Sequence, residues 1–578
     1  MTSRSREGKF RGRILKFTLA VWIGIVALPA MLLAGSGSNH LKFEISFAKS
    51  AHPQPITGRV FLVISHKGDP QPRLRVGFWG DAPPLFGADV DQLKPGRPMV
   101  IDGTVLGYPV NSLEQVPAGD YYVQALVNIY TEFHRADGHV IWAHMDHWEG
   151  QQFNLSPGNI YSDVQKVHLD PASGYDVKLK LTHVIPDVKM PADTVWVKHI
   201  KIQSNLLTRF WGHPMYLGAT VLLPKGYDGH PDVRYPVIYD QGHFGLRAPF
   251  FFTPEKPKDE GAKLTARLHS LGYESGWKFA ERWRSDNFPR MIVVTFQHPT
   301  PFFDDSYAVN SANNGPYGDA LIAELIPYLE AHFRMIPKPY ARVLTGGSTG
   351  GWESLALQLY HPDFFGGTWT FWPDPIDFRN YGLVDVYKDD NAFIQPGHHW
   401  LFPERELQRQ PNGQPEVTVR QFSQLEVVLG SHARSCQQLN AWEAVYAPVG
   451  PDGYPQEVWD KRTGKINHQV AESMRDHGYD LRAYAAKNWT KIGPELAGKI
   501  HLYVGDMDSY YLNLAVYRFE DFMKATQNPH HAGYFEYGRP MKPHGWVPMT
   551  QSELVKQMAQ HVKENAPAGE DTEGWSYR

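Results

Sequence analysis

The chain has 578 residues, more than one hydrophobic core commonly serves, so two or more domains are expected. Hydrophobic residues make up 42% and charged residues 20%, which is ordinary globular composition. The formal net charge of −4 gives no reason to expect nucleic acid or an anionic membrane surface as a partner. The single cysteine, Cys436, excludes an intrachain disulfide and matches no nucleophile motif.

The first residues have the pattern of a secretory signal peptide. Basic residues occur between Arg4 and Lys16, an uncharged apolar run covers residues 17–33, and small residues follow. This order predicts an exported protein, periplasmic or secreted, with residues 1–36 as the signal peptide. The alternative is an uncleaved anchor over residues 17–34, because the run is almost long enough to span a bilayer. A membrane is expected as a partner only in that second case.

Residues 39–185 carry the pattern of β-structure. Apolar residues alternate with polar ones in residues 41–47 and 177–181, and this period of two marks strands with one buried face. Turns rich in Gly, Pro and Asp separate further β-rich runs at residues 58–65, 73–79 and 121–133. Several strands with no clear helix predict an N-terminal β-sandwich of the immunoglobulin-like kind. Its role stays open between binding a glycan, dimerisation and shaping a cleft.

Residues 195–565 alternate between strand-like and helical runs, which predicts an α/β domain with a doubly wound, mostly parallel sheet. The predicted strands cover residues 195–202, 219–223, 237–239, 291–296, 343–344, 368–371, 500–504 and 533–537. The main predicted helices cover residues 320–333, 351–360 and 551–564. An insertion at about 374–496, rich in Trp, Tyr and Pro, is expected to form a cap or pocket wall. Residues 566–578 are expected to be a polar, frayed tail.

One Gly-x-Ser-x-Gly motif occurs in the chain, centred on Ser348. An apolar strand precedes this motif and a helical run follows it, which is the strand–turn–helix setting of a nucleophile elbow. There the serine lies on a strained turn that exposes its hydroxyl, and the flanking positions require glycine because side chains would collide. The alternative is an ordinary glycine-rich turn. We interpret Ser348 as the catalytic nucleophile.

A nucleophilic serine needs a base and an orienting carboxylate. In an α/β domain with a nucleophile elbow, the acid follows the serine along the chain and the histidine follows the acid. The predicted strand at residues 500–504 leads to Asp508, the preferred acid, with Asp506 as the alternative acid. His544 is the preferred base because it follows the final predicted strand in a loop. The other histidines after the acid are His530, His531 and His561.

An oxyanion hole needs two backbone N–H donors. The first is expected from Thr349, the residue after the nucleophile. The second is expected from the loop after the strand at residues 237–239, with Phe244 or His243 as the donor.

Several stretches of the second domain resemble the esterase family of α/β-hydrolases that includes S-formylglutathione hydrolases, enterochelin esterases, feruloyl esterases and mycolyltransferases. The resemblance is carried by residues 223–227 with 235–239, by 315–319 leading to 324–328, and by the elbow with 361–367. It implies an α/β-hydrolase fold and an esterase-like serine hydrolase. The family often has His-Gly after its oxyanion-loop strand, whereas this chain has Gly242 followed by His243, so it departs from the family pattern at the second oxyanion donor.

Aromatic side chains are the candidates for the substrate pocket, with ordinary core packing as the alternative for each of them. These candidates are Trp352, Trp372, Trp400, Tyr510 and Tyr511. Neither a phosphate-binding Gly-Lys-Ser/Thr loop nor a dinucleotide motif is present, so no cofactor is expected. No metal is expected either, because no set of His, Cys or acidic residues has convincing ligand spacing.

The favoured function is hydrolysis of a carboxylic ester, either a small molecule or a glycan-linked one, through an acyl-enzyme. Two alternatives keep the same scaffold. An acyltransferase or peptidase would use the same triad, and a non-catalytic protein would bind a carbohydrate or another partner. The sequence gives no indication of the oligomeric state.

Overall fold

The computed structural model describes residues 41–77, 82–258, 261–397 and 400–577. The predicted signal peptide at 1–36, and the alternative anchor at 17–34, lie outside the described residues. Within those residues, no helix combines the length and the apolar character that a membrane crossing needs. The described residues make up one compact unit.

The N-terminal part, up to residue 184, is built from strands and short turns of 3₁₀ helix. Its strands are β1 (Leu41–Phe47), β2 (Ile56–Ser65), β3 (Leu85–Leu93), β4 (Met99–Asp102), β5 (Gly107–Tyr108), β6 (Gly119–Ile129), β7 (Thr131–His134), β8 (Val140–Ala143), β9 (Ile160–Ser162), β10 (Gln165–Leu169) and β11 (Tyr175–Val184). The alternation in β1 acts as predicted, because every second residue from Leu41 to Phe47 is buried.

Nine of these strands are hydrogen-bonded in one sheet, in the order β4-β1-β11-β9-β6-β2-β3-β5, with β10 paired to β6. The first and last strands of the region, β1 and β11, are parallel neighbours. An apolar cluster that includes Phe43, Val60 and Val127 lies within this region. The predicted β-rich character is thus observed, whereas the division into two packed sheets of a sandwich stays a prediction.

One predicted strand in this region is wrong. The run at residues 73–79 was expected to be extended, but Pro72–Arg75 forms a turn of 3₁₀ helix, and residues 78–79 lie outside the described residues. Pro72 stands at the start of this turn, where its fixed φ favours a helical bend.

The second part is an α/β domain with one eight-stranded sheet. Its strands are β12 (Val197–Ser204), β13 (Met215–Leu222), β14 (Val237–Gln241), β15 (Ile292–Gln297), β18 (Arg342–Ser348), β19 (Gly367–Pro373), β22 (Ile500–Gly505) and β23 (Tyr534–Gly538); the pairs β16 (Asn310–Ser311) with β17 (Gly315–Pro316), and β20 (Glu406–Arg409) with β21 (Pro415–Thr418), are separate. The order is β12-β13-β15-β14-β18-β19-β22-β23. Strand β13 pairs antiparallel with both of its neighbours, β12 and β15. All the other neighbouring strands, from β15 to β23 in this order, are parallel. This is the predicted α/β-hydrolase fold.

Helices cover the faces of this sheet, so its central strands are buried on both sides and read as continuous apolar runs. The helices are α1 (Asn205–Trp211), α2 (Ala262–Leu271), α3 (Gly276–Trp283), α4 (Tyr317–Ala320), α5 (Ile326–His332), α6 (Thr349–Tyr360), α7 (Val419–Leu429), α8 (Gln438–Tyr446), α9 (His468–Asp476), α10 (Leu481–Leu496), α11 (Leu512–Ala525) and α12 (Gln551–Glu564). A π-helical segment, Leu321–Leu325, joins α4 to α5. Four of the helices, α7 to α10, belong to the insertion between β19 and β22.

The insertion contacts the N-terminal sheet through buried polar groups. The Arg59 guanidinium donates to the backbone carbonyls of Val427 (2.8 Å) and Val428 (2.9 Å) at the end of α7, and it pairs with Asp89. Arg434 of the insertion donates to the carbonyl of Trp142 at 2.8 Å. These contacts join the predicted cap to the N-terminal strands.

The C-terminal residues do not fray as expected. Trp575 is buried in the core of the α/β domain, and the Tyr577 hydroxyl lies 2.9 Å from that of Tyr235. Two aromatic side chains near the end of the chain therefore anchor a segment that reads as polar in the sequence.

A buried charge cluster in the insertion makes a testable prediction. Glu426, Glu443 and Lys461 are buried together, with the Lys461 ammonium 2.8 Å from Glu443 and 3.8 Å from Glu426. Burial, reinforced by the Glu443 charge and opposed by Lys461, raises the pKa of Glu426 to about 8. One proton on Glu426 therefore leaves the cluster neutral.

We expect Glu426→Gln to stabilise the fold selectively at alkaline pH. The raised pKa means that Glu426 contributes stability below its unfolded pKa and loses it as pH rises toward 8, whereas glutamine has no charge to bury. The midpoint of thermal unfolding of the variant should match the wild type at pH 5 and exceed it by several degrees at pH 8. The exposed Glu416→Gln is the matched control, and an equal response of both variants would contradict the prediction.

Candidate active site

The predicted nucleophile elbow is present at the junction of β18 and α6. Strand β18 ends at Ser348 and helix α6 begins at Thr349. Ser348 has φ 58° and ψ −122°, a conformation that costs free energy for any residue with a side chain. This strained turn holds a half-buried serine hydroxyl at the carboxyl edge of the sheet.

The glycines of the motif are required by close backbone approach. A Cβ on Gly346 would collide with the carbonyl oxygen of Gly350, and one on Gly350 would collide with that of Gln241. A Cβ on Gly347 would enter the ring of Trp372. The two glycines of the motif are therefore required sterically, as the sequence predicts. Gly347, which lies between them, is required for the same reason.

Asp508 and His544 form a hydrogen-bonded pair. The Nδ1 atom of His544 lies 2.8 Å from Oδ2 of Asp508, which is completely buried just after β22. The other Asp508 oxygen accepts the backbone N–H groups of Tyr510 (2.9 Å) and Leu512 (3.2 Å). Asp508 is thus fixed in a position to orient the imidazole.

Asp506, the alternative acid, faces elsewhere. Its Oδ1 accepts the backbone N–H of Lys542 at 3.0 Å, and among the hydrogen bonds of the described residues none joins it to His544. Asp506 therefore supports the loop that carries His544 instead of contacting the ring.

Ser348 and His544 line the same cavity but are not hydrogen-bonded to each other among the described residues. The Ser348 hydroxyl donates instead to Oδ1 of Asp374 at 3.3 Å. The structure thus brings together the acid and the base of the predicted triad and places the serine on the same cavity as the base. The serine–histidine contact that catalysis needs requires the hydroxyl to leave Asp374.

The residue that sequence reasoning missed is Asp374. It follows β19 directly, and its backbone N–H donates to the carbonyl of Ser348 at 3.1 Å. Burial raises the pKa of this carboxyl, against the hydrogen bond from Tyr307. Its Oδ2 accepts hydrogen bonds from Tyr307 Oη (2.6 Å), Gln438 Nε2 (3.0 Å), Thr349 Oγ1 (3.1 Å) and Trp442 Nε1 (3.3 Å). The sequence feature that could have identified Asp374 is its position directly after β19, the strand that follows the nucleophile strand in the chain.

The predicted oxyanion donors lie at two places. Thr349 is the first residue of α6, where backbone N–H groups have no intrahelical acceptor. His243 lines the cavity, whereas the ring of Phe244 packs against Trp148 with the ring centres 5.4 Å apart. The backbone group that completes the oxyanion hole stays a prediction.

The His243 ring is paired with two carboxylates. Its Nδ1 lies 3.1 Å from Asp304 Oδ1 and 3.3 Å from Asp305 Oδ2. Burial lowers the pKa of His243, but the two aspartates outweigh this effect and raise the pKa well above its ordinary value. The two carboxylates therefore favour the protonated form of this ring at the cavity wall.

Two groups of potential metal ligands occur near this wall, His243 with Asp304 and Asp305, and His298 with Asp305 and Glu353. The Nδ1 atom of His298 accepts the backbone N–H of Ser306 at 2.9 Å, so the proton of the neutral ring is on Nε2. That Nε2 atom is therefore a donor and not a ligand. The expectation of no metal stays a prediction.

Two of the five predicted pocket aromatics line the cavity, which has a volume of about 890 Å³. The rings of Trp372 and Tyr510 stand edge-on to the His544 ring, with ring centres 4.7 and 4.9 Å away. Both rings contact the imidazole. A cavity of this size suits a substrate with a bulky group.

The other three pocket predictions need correction. Trp352 is completely buried against Tyr307 and Tyr446, because its position on α6 turns it into the core. Trp400 is 91% exposed and lies off the cavity. Tyr511 is buried beneath the wall, where its hydroxyl donates to Glu406.

Part of the cavity wall comes from the N-terminal region. Leu74, Val76 and residues 150–155 line it, together with residues of the insertion such as Trp442 and Trp459. The side chain of Phe153 stacks on Phe61 of β2, which ties this wall to the N-terminal sheet. Of the roles left open for this region, shaping the cleft is the one that these contacts support.

Comparison with known protein families supports the sequence resemblance. The model of a family described as "Putative esterase" matches residues 216–373, a segment that runs from β13 to β19 and contains the elbow. No curated protein matches the chain. The family match agrees with the observed strand order and confirms the resemblance predicted from sequence motifs.

Solved structures with partial similarity include three hydrolases. An S-formylglutathione hydrolase from Agrobacterium tumefaciens is 13% identical, with 65% of this chain and 98% of that chain covered and a TM-score of 0.32. The fluorophosphonate-binding serine hydrolase FphF from Staphylococcus aureus is 13% identical, with 63% and 98% covered and a TM-score of 0.29. A ferulic acid esterase from Anaeromyces mucronatus is 12% identical, with 65% and 93% covered and a TM-score of 0.27.

Proposed function

We propose that this chain, an esterase-like hydrolase of the α/β-hydrolase fold, cleaves a carboxylic ester through an acyl-enzyme on Ser348. The observation that carries the proposal is the strained Ser348 on the same cavity as the hydrogen-bonded pair of His544 and Asp508. A plain glycine-rich turn has no need of a buried carboxylate that orients a histidine beside it.

The reaction begins when the Ser348 hydroxyl leaves Asp374 and transfers its proton to Nε2 of His544. The serine oxygen attacks the ester carbonyl, and backbone N–H groups of Thr349 and of the 242–244 loop hold the oxyanion. Asp508 stabilises the imidazolium through Nδ1. His544 then protonates the departing alcohol, which leaves the acyl group on Ser348.

The second half repeats these steps with water. His544 takes a proton from a water molecule, and the resulting attack on the acyl carbonyl releases the acid and restores the Ser348 hydroxyl. The cavity of about 890 Å³ favours a substrate larger than a simple acetyl ester. Small-molecule and glycan-linked esters both meet this requirement.

We also propose that the enzyme acts outside the cytoplasm and that residues 39–185 form a β-sandwich. The basic, apolar and small-residue segments of residues 1–36 support export. The buried apolar cluster shared by β1, β2, β6 and β11 supports two facing layers in the N-terminal part.

Labelling with a fluorophosphonate probe tests the enzyme proposal. Such probes phosphonylate an activated serine, so the folded protein should incorporate one label, and fragment masses should place it on Ser348. The buried Ser354 and the exposed Ser285 in the same digest are internal controls and should stay unmodified. Heat-unfolded protein should lose the reaction. A folded protein that takes no label, or takes it at another serine, contradicts the proposal.

A further inference from the structure

We propose that Asp374 determines substrate specificity by binding an ammonium group next to the scissile carbonyl, so that the preferred substrate is an aminoacyl ester. This inference rests on the proposed ester hydrolysis at Ser348. It assigns a chemical class to the acyl group, and it follows from the hydrogen bonds and the charge balance around one carboxylate.

The two oxygens of Asp374 have different surroundings. Oδ2 accepts all four hydrogen bonds from the side chains of Tyr307, Thr349, Gln438 and Trp442. Within the part of the chain that the structure describes, Oδ1 accepts a hydrogen bond only from the hydroxyl of Ser348, at a long distance of 3.3 Å. When Ser348 turns to His544 for attack, Oδ1 loses that donor and is left beside the reacting serine oxygen. A donor on the substrate can then take its place.

Among the described residues, no ammonium or guanidinium group forms an ion pair with Asp374. Its four Oδ2 donors are neutral, and no lysine or arginine lines the cavity among the residues that the structure describes. The other cavity carboxylates are served differently, since Asp304 pairs with His243 and Glu406 accepts the Tyr511 hydroxyl. His243 and His544 act on Asp374 only through space.

Elsewhere in the chain, a buried pair of carboxylates is supplied with a cation by the protein. Glu426 and Glu443, both buried, share the Lys461 ammonium. Burying an uncompensated charge is costly, so a carboxylate kept without a cation in a substrate cavity indicates a ligand that brings the cation. A substrate ammonium group meets this need.

The same carboxylate affects the transition state. Negative charge develops on the carbonyl oxygen when Ser348 attacks, and a nearby carboxylate disfavours that charge. An ammonium group on the carbon next to the carbonyl would bind Oδ1 and cancel the repulsion. Because the repulsion grows as the oxyanion forms, the ammonium accelerates the chemical step and not only binding.

Three benzyl esters that differ in one group test this inference. On the carbon next to the ester carbonyl, the benzyl esters of L-alanine, L-lactic acid and propionic acid carry an ammonium group, a hydroxyl group and a hydrogen atom, respectively. For the wild-type enzyme near pH 7 we expect kcat/KM for the alanine ester to exceed that for the propionate ester by at least about tenfold, with the lactate ester between them. Equal values for the alanine and propionate esters overturn the inference.

Asp374→Asn and the matched control Glu406→Gln locate the effect. The asparagine variant should lose the preference for the alanine ester over the propionate ester, whereas Glu406→Gln should keep the preference. If Asp374 only positions Ser348, its variant will slow all three esters equally, and that result overturns the inference. If the asparagine variant does not fold, the wild-type series decides alone.

The outcomes separate this inference from the proposed function. Turnover of the propionate ester without any preference for the ammonium group contradicts the role of Asp374 and leaves the esterase proposal intact. Absence of both ester turnover and fluorophosphonate labelling contradicts the esterase proposal itself.

Discussion

Replacement of Ser348 by alanine is expected to lower kcat for ester hydrolysis by about 10⁴-fold or more. The variant keeps the oxyanion donors and the cavity but has no atom that can accept the acyl group. Its residual rate should therefore reflect direct attack by water. Initial rates with a chromogenic ester, at equal concentrations of folded enzyme, measure the change.

Ser285→Ala is the matched control for that substitution. Ser285 is exposed, and its hydroxyl donates only to the carbonyl of Arg282 at the end of α3. Its replacement should leave kcat within about twofold, as expected for a surface substitution away from the site. A Ser348→Ala enzyme that retains a tenth of the wild-type rate would show that another group is the nucleophile.

Asp508→Asn is expected to lower kcat by about 10⁴-fold with little change in KM. The asparagine amide has nearly the same shape, but it carries no charge to stabilise the His544 imidazolium and can hold the ring in the wrong tautomer. The steady-state rate of ester hydrolysis and the rate of labelling by a fluorophosphonate should both fall, because both depend on removal of the Ser348 proton.

Asp506→Asn provides the comparison that separates the two candidate acids. Asp506 accepts a backbone N–H of the loop that carries His544 and does not contact its ring. We expect the fold-loss of kcat caused by Asp506→Asn to be less than about a tenth of the fold-loss caused by Asp508→Asn. A loss equal to that of Asp508→Asn would exchange the roles of the two aspartates.

Most of the α/β-hydrolase sheet was predictable from the sequence because central parallel strands are apolar on both faces. The run at 291–296 was predicted as a strand and is found as Ile292–Gln297, and the helix predicted at 551–564 is found as Gln551–Glu564. These elements depend on local patterns that are strong enough to survive tertiary packing. The elbow was predictable for a different reason, since only glycine fits at Gly346 and Gly350.

The cavity wall was less predictable because it depends on contacts between distant parts of the chain. Trp352 and Trp372 look alike in the sequence, yet one packs in the core and the other against His544. Periodicity does not reveal which face of a helix or strand end meets the cavity. Asp374 was missed for a related reason, because its donors come from three separate segments that only the folded chain assembles.

The wall formed by residues 150–155 has a consequence for what enzymatic turnover reports. The nucleophile, the histidine and its acid follow strands of the sheet, whereas much of the surrounding wall comes from the N-terminal region and the inserted helices. Substitutions in those two regions should therefore change the selectivity between large and small esters even when the three catalytic side chains are untouched.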